Sequence, residues 1–271
     1  MSLWHPETLR IGLEPRRISV VKLRGRWKRE IVTAATAPAT VNPQAPRLDA
    51  LFARLESPEF RTRKVEFVLA DSLVRYYVVE RPRGVRNGRE LGDAINARFE
   101  EQFGLPAADW AMSADLEPGS TSYLVCAAPR ALVEAIKSGC AAAQLRFSGM
   151  LPFMVSELNN FRHLLPKRDF WFAAALERSV TLCYRGKREW RTARFHNVNG
   201  EPVAQLPAIA AREALREMVP ESRDIRCTGV TGNPSSIVTT SSVTLLGSGL
   251  WPGQGADWAG KYRLALSGVW P

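Results

Sequence analysis

Short runs of β-branched and aliphatic residues open this chain, each closed by a charged or glycine-bearing turn. Residues 9–13, 18–23 and 27–34 read as three strands, with Arg24-Gly25 as the hairpin turn between the second and third. Lys22, Arg24, Arg26 and Lys28 alternate along that hairpin and are expected to point outward. The first eight residues read as a loose arm. Residues 35–46 contain Pro38, Pro43 and Pro46 and read as a loop.

The period then changes. Leu48, Leu51, Phe52 and Leu55 fall at helical spacing, and Ser57-Pro58 stops the helix. Residues 65–70 and 73–79 are strands around an Asp71-Ser72 turn. A basic loop from Arg81 to Arg89 leads to Asn87, with Glu90 three positions on, which resembles a capping box. The helix behind it carries Leu91, Ile95, Phe99 and Phe103 in one stripe and stops at Gly104. Residues 110–116 and 122–127 read as strands. A helix opens at Pro129, a short strand covers 145–149, and a further helix runs from Pro152 to a stop at Pro166.

After Lys167-Arg168-Asp169 the strands recommence at 170–176, 180–184 and 190–195. A helix over 207–218 and a strand at 225–229 follow. Residues 261–267 read as a last strand. Both halves therefore open strand, strand, strand, helix, strand. They also share a turn: Gly12-Leu13-Glu14 stands where Ala175-Leu176-Glu177 stands, each followed by a β-branched run and an Arg-Gly turn.

Composition adds further constraints. Apolar residues make up 45% and charged residues 24% of 271 positions, the balance of a globular chain with a substantial core. No apolar run approaches the ~20 residues of a membrane span. The first residues lack the basic and apolar regions of a secretory signal. Cys126, Cys140, Cys183 and Cys227 form no C-x-x-C pair and read as reduced, packed thiols of a cytosolic protein. The net charge of +10 favours an acidic partner: anionic lipid, nucleic acid or an acidic protein surface. His5, His163 and His196 have no spacing that suggests a metal site, and none is expected. The aromatics do not interleave with the basic runs as stacking platforms would, so nucleic acid is an unlikely partner. Trp4, Trp251, Trp258 and Trp270 lie in irregular ends and read as core cover or a contact patch.

The repeated element order resembles the actin-like fold, an α/β architecture of duplicated ribonuclease-H-like halves with mixed sheets flanked by helices. More specific is Val65-Glu-Phe-Val-Leu-Ala-Asp-Ser-Leu-Val-Arg-Tyr-Tyr-Val-Val-Glu-Arg-Pro82. It is similar to a segment of the cytoplasmic actin-like proteins of type IV pilus and type II secretion machines, the PilM-like group. The likeness continues through Phe99-Glu-Glu-Gln-Phe-Gly104, Asp109-Trp110 and Pro129-Arg-Ala-Leu, and spans roughly residues 8–230. It implies a first half over 9–166, with an inserted α/β subdomain at about 73–143, and a second, shorter half over 167–271.

The resemblance also locates a nucleotide site to be tested. Active members carry an Asp-x-Gly turn in each half; the acid helps hold magnesium and the glycine lets backbone N–H groups approach phosphate. Here Gly12 and Ala175 stand at the acid positions, and Glu14 and Glu177 at the glycine positions. Like charges ~4 Å apart repel by about 4 kcal/mol at an effective dielectric of ~20, and no lysine lies in either turn to offset them. The family's Gly-Gly loop is interrupted in Thr228-Gly-Val-Thr-Gly232, leaving Gly229 and Gly232 apart. A non-catalytic scaffold without cofactor is therefore expected, at the cytoplasmic face of the inner membrane. The resemblance implies that it captures the short cytoplasmic tail of a single-span, PilN-like partner and communicates with a motor ATPase. Arg24, Arg26, Arg81, Arg83, Arg86 and Arg89 are the candidate contacts to anionic lipid or an acidic partner. The alternatives are an ATP-binding member of the same group and a basic binding module of another kind.

Overall fold

The computed structural model describes residues 7–25, 29–60, 62, 64–82, 84–85, 87–167, 169–187, 189–219, 224–229, 243–246 and 256–267; for 256–260 it describes only the helical backbone. The sequence-derived candidates Arg26, Arg83, Arg86 and Gly232 lie outside these residues, as do Trp4, Trp251, Trp270 and the side chain of Trp258.

The first sheet forms from β1 (Glu7–Leu13), β2 (Arg17–Arg24), β3 (Glu30–Pro38), β4 (Lys64–Leu69) and β8 (Arg146–Pro152), in the order β3-β2-β1-β4-β8. β1 to β3 are antiparallel, whereas β4 runs parallel to β1 and β8 parallel to β4. The second sheet repeats this plan with β9 (Phe170–Leu176), β10 (Ser179–Arg185), β11 (Trp190–Asn197), β12 (Ile225–Thr228) and β13 (Val243–Leu245), in the order β11-β10-β9-β12-β13. Central strands covered on both faces read as apolar runs: β9 is apolar throughout, and residues 9–13 of β1 are interrupted only by Arg10.

A third, antiparallel sheet of β5 (Arg75–Glu80), β6 (Trp110–Ala114) and β7 (Ser122–Pro129), in the order β5-β7-β6, interrupts the first half between β4 and β8. Helix α2 (Gly88–Phe103) covers it. The Asn87 side chain accepts from the backbone N–H groups of Arg89 and Glu90 at 3.0 Å, and Gly104 ends the helix in the left-handed region at φ +64°. Phe99 packs among Tyr77, Phe103 and Trp110, giving this sheet its own small core. The remaining helices are α1 (Asp49–Leu55), α3 (Arg130–Ala142), α4 (Phe153–Phe161), α5 (Pro202–Glu217) and α6 (Ala256–Leu266).

Several expectations need correction. β3 extends through the expected loop to Pro38, which pairs with Arg17; β3 is an edge strand, where the missing proline N–H costs no ladder bond. α4 ends at Phe161 rather than near Pro166, and a 3-10 turn at Arg162–Leu164 follows. α5 starts at Pro202, the favoured first helical position, and carries Pro207 inside it rather than at its start. Lys22 does not face solvent: it is buried and its Nζ lies 2.8 Å from Glu7 Oε2.

The largest departure concerns residues 261–267, expected as a strand of the second half. They belong to helix α6, and α6 lies against β1, β2, β3 and β4 of the first sheet. Tyr262 through Ser267 are all buried, so no polar stripe marks the helical period. Arg10 on β1 fastens the end of this helix, donating from Nε to the Ala265 carbonyl at 3.0 Å and from Nη2 to the Ser267 carbonyl.

Candidate functional site

The two turns singled out in the sequence come together. Arg17, the first residue of β2, donates from Nε and Nη2 to the two oxygens of Glu14 at 2.9 and 2.8 Å. The same Nη2 reaches Glu177 Oε1, across the gap between the halves, at 2.7 Å. The expectation of uncompensated carboxylates is therefore corrected: one arginine offsets both. It was overlooked because an arginine three residues into a charged turn looks like an ordinary solvated side chain. Burial pushes the Glu14 carboxyl above its usual range, against the lowering effect of Arg17, whereas Glu177 is 60% exposed.

The positions flanking these carboxylates are tightly filled. A Cβ at Gly12 would lie 2.5 Å from Ser19 Oγ, 2.8 Å from Ala265 N and 2.9 Å from Leu264 Cβ, so α6 occupies the space beside this position. A Cβ at Gly229 would lie 1.9 Å from the Ala175 carbonyl oxygen, and Gly229 has φ +90°. Gly229 is thus packed against the backbone of the second turn at its acid-equivalent residue. Two elements that would border a phosphate cleft are closed on the chain's own atoms.

Beneath the turns, two buried polar clusters tie the halves together. Asp71 follows β4 and accepts from Tyr76 Oη and Thr181 Oγ1, both at 2.6 Å, and from the Met154 backbone N–H at 3.1 and 3.2 Å. Thr181 lies on β10, so this carboxylate joins β4, the start of α4 and the second sheet. Burial raises its pKa to about 6, the hydrogen bonds opposing. In the second cluster Glu157 of α4 accepts from Thr228 Oγ1 of β12 and from Arg263 Nη2 of α6 at 3.0 Å. Sequence reading treated Asp71 only as a turn residue; the available signal was an acid set between Leu69-Ala70 and Leu73-Val74.

The basic candidates that are described do not form a built site. Arg24 donates to Glu7 Oε1 at 2.9 Å, so part of its charge is taken up locally. Arg81 and Arg89 are exposed on either side of the basic loop.

A groove that no sequence motif announced has clearer form. A cavity of about 360 Å³ opens between the small sheet, the edge of the first sheet and α4. β6 is an edge strand of the small sheet and β8 an edge strand of the first, and both line it. Met112, Leu124, Met150, Leu151, Val155 and Leu158 make it apolar. Leu151 is 41% exposed in it. Asn159 and Arg162 supply polar edges, and Trp190 closes one end, its Nε1 donating to Asp115 Oδ2 at 3.3 Å. The lining runs from Leu69 to Trp190, so no local stretch carries its signature.

Two sheets of identical order joined by α4 and α6, with an insertion after β4, define an actin-like fold. Solved structures bear this out and supply the particular likeness. The PilM-PilN type IV pilus biogenesis complex matches with TM-score 0.65 at 16% identity, over 97% of this chain and 99% of the other. The cytoplasmic domain of EpsL, an inner membrane component of the type II secretion system of Vibrio cholerae, matches with TM-score 0.59 at 17% identity over 90% of each chain. A protein with actin-like ATPase fold from Bacteroides thetaiotaomicron matches with TM-score 0.56 at 9% identity, over 89% and 91%. No protein-family model matches the chain, and a search of curated proteins finds no match. At these identities the likeness is one of fold, and it is the fold of the group that the sequence resembles. Among the described residues, no helix is long and apolar enough to cross a membrane.

Proposed function

We propose that this chain is a non-catalytic actin-like assembly protein of a type IV pilus or type II secretion-like machine. It works at the cytoplasmic face of the inner membrane and seats a short extended segment from the cytoplasmic tail of a single-span partner in the groove between β6 and β8. The observation that carries this reading is the pair of open sheet edges facing one apolar groove. An edge strand offers unpaired N–H and C=O groups, and an added strand satisfies them while alternate side chains enter the groove. β6 spans 5 residues, enough to register a short peptide. That a structural neighbour is a complex of PilM with PilN supports a PilN-like partner.

The non-catalytic part rests on the closed turns. A triphosphate would have to displace Arg17 from Glu14 and Glu177 and would find no open glycine edge at Gly12 or Gly229. A synthetic tail peptide from a single-span protein encoded beside this chain tests the groove by fluorescence anisotropy. Leu158→Glu is expected to weaken binding by about tenfold or more, the effect of some 1.4 kcal/mol. Unchanged affinity in that variant would sink the groove reading. Calorimetric titration with magnesium-ATP is expected to show no binding, and a micromolar site would return the ATP-binding alternative.

A further inference from the structure

A second cavity, of about 650 Å³, lies where α5 and the end of β11 meet the residues after β4 and the end of α2. Its polar lining includes Arg75, Arg194, His196, Arg212, Glu213 and Arg216. Four arginines thus face one carboxylate, and that carboxylate is already engaged. Arg194 Nε lies 3.0 Å from Glu213 Oε2, and its Nη2 lies 2.7 Å from Glu217 Oε1. Among the described residues, Arg75, Arg212 and Arg216 form no ion pair. Arg212 Nη2 approaches the His196 ring at Nδ1, 3.4 Å away, and Arg75 turns to the Val74 carbonyl and the Trp110 ring.

The site also holds unmet hydrogen-bonding capacity. Arg194 Nε, His196 Nε2 and Glu213 Oε2 are buried without a hydrogen-bond partner, the first and last despite their ion-pair distance. Glu213 is 3% exposed. Burial pushes the His196 pKa down; Glu213 opposes this, and Arg212, Arg194 and Arg216 add to it. Arg75, Arg212 and Arg216 are exposed and Arg194 is half-buried; like charges lining one cavity repel one another, and an anion would relieve them. The guanidinium fork matches the oxygens of a tetrahedral phosphate. The carbonyls at the end of α5 disfavour an anion, so side chains rather than backbone must hold it. Beside the arginines, Leu215 and Met218 are 83% and 93% exposed.

We propose that this cavity is a phosphate-binding site, with Arg212 and Arg216 as the principal ligands and Arg75 closing it from the first half. The phosphate comes either on a soluble anion or on a lipid headgroup, and Leu215 and Met218 would rest on the bilayer in the second case. The site is separate from the β6–β8 groove, so its failure would leave the groove reading standing.

Two probes on the full chain test it. Inorganic pyrophosphate is titrated while the His196 ring is followed by NMR; binding is expected to raise the pH at which the ring titrates. Phosphatidylcholine vesicles with and without phosphatidylglycerol are used in flotation. The double variant Arg212→Glu, Arg216→Glu is expected to weaken whichever interaction is found by about tenfold or more, while Arg47→Glu, at an exposed arginine outside the cavity, leaves it intact. The double glutamine variant repeats the test, should charge reversal disturb folding, and thermal melting shows which variants remain folded. Leu215→Ser with Met218→Ser separates the sources, reducing flotation only if a headgroup is bound. Absence of both a His196 response and anionic flotation would overturn the proposal, as would equal loss in Arg47→Glu.

Discussion

The turn after β1 and the turn after β9 hold equivalent places in two sheets of the same order, yet they are closed by different means. At the first, Gly12 is pressed from outside by α6, and Glu14 is buried and doubly bonded to Arg17. At the second, Ala175 is pressed by Gly229 of its own sheet, and Glu177 stands exposed at φ +49° with one bond to Arg17. The first turn is sealed by a helix from far along the chain, the second by the loop next to it. Equivalent turns are thus packed by different means in the two halves, and one arginine joins the two.

Substitutions at the two glycines give the largest expected break in that comparison. Gly229→Ala forces a Cβ into the Ala175 carbonyl and a positive φ onto alanine, and is expected to cost about 4 kcal/mol or more. Gly12→Ala meets a serine hydroxyl and the side of a helix that can shift slightly, so about 2 kcal/mol is expected. Denaturant unfolding of both variants checks the order; equal or reversed costs would show that the second turn is not the tighter one.

Asp71 gives an effect smaller than that of Gly229→Ala, with a defined pH window. Its folded pKa, about 6, lies above the ordinary 3.8, so the folded state holds the proton more tightly than the unfolded chain. Its contribution to stability is greatest below about pH 4, declines as pH rises, and is lost above about pH 6, a swing of about 3 kcal/mol. Asp71→Asn removes this dependence. The stability difference between wild type and variant should therefore change between pH 4 and pH 6 and be flat from pH 7 to pH 8. A difference flat throughout would mean that the carboxylate is ionised over the whole range.

The smallest effects sharpen the role of Arg17. Arg17→Ala leaves Glu14 buried without its bidentate partner and is expected to cost about 2 kcal/mol. Glu177→Ala removes an exposed partner and is expected to cost under about 1 kcal/mol. Urea midpoints of the two single variants and the double variant test this. A Glu177→Ala loss as large as that of Arg17→Ala would make the bridge between halves, rather than the pair within the first turn, the main interaction.

Much of this architecture could be read from residue type and spacing. β1, β2, β9 and β10 are β-branched or aromatic runs ended by turns, and α2 carries both its cap and its glycine stop. The duplicated turn pointed to the fold before any contact was known. What escaped notice did so for physical reasons. α6 looked like a strand because the polar side chain of Arg263 is buried against Glu157, which hides the helical period. Nothing in the sequence singles out Arg17, because its second partner lies 160 positions away. The groove was invisible because Leu69, Met112, Met150 and Leu158 are each ordinary apolar residues, and only the juxtaposition of two sheet edges makes them a surface.

The bond from Arg10 to Ala265 joins residues 255 positions apart. It sets a timetable for biosynthesis. β1 leaves the ribosome long before α6, and its sheet lacks the helix covering one face until residues 256–267 have been made. Val21 and Leu23, which pack on that helix, stay uncovered in the meantime. Contacts of such long separation form late and slowly. The first half therefore cannot complete its own folding while the second is being translated. Until then the uncovered apolar face is an aggregation hazard.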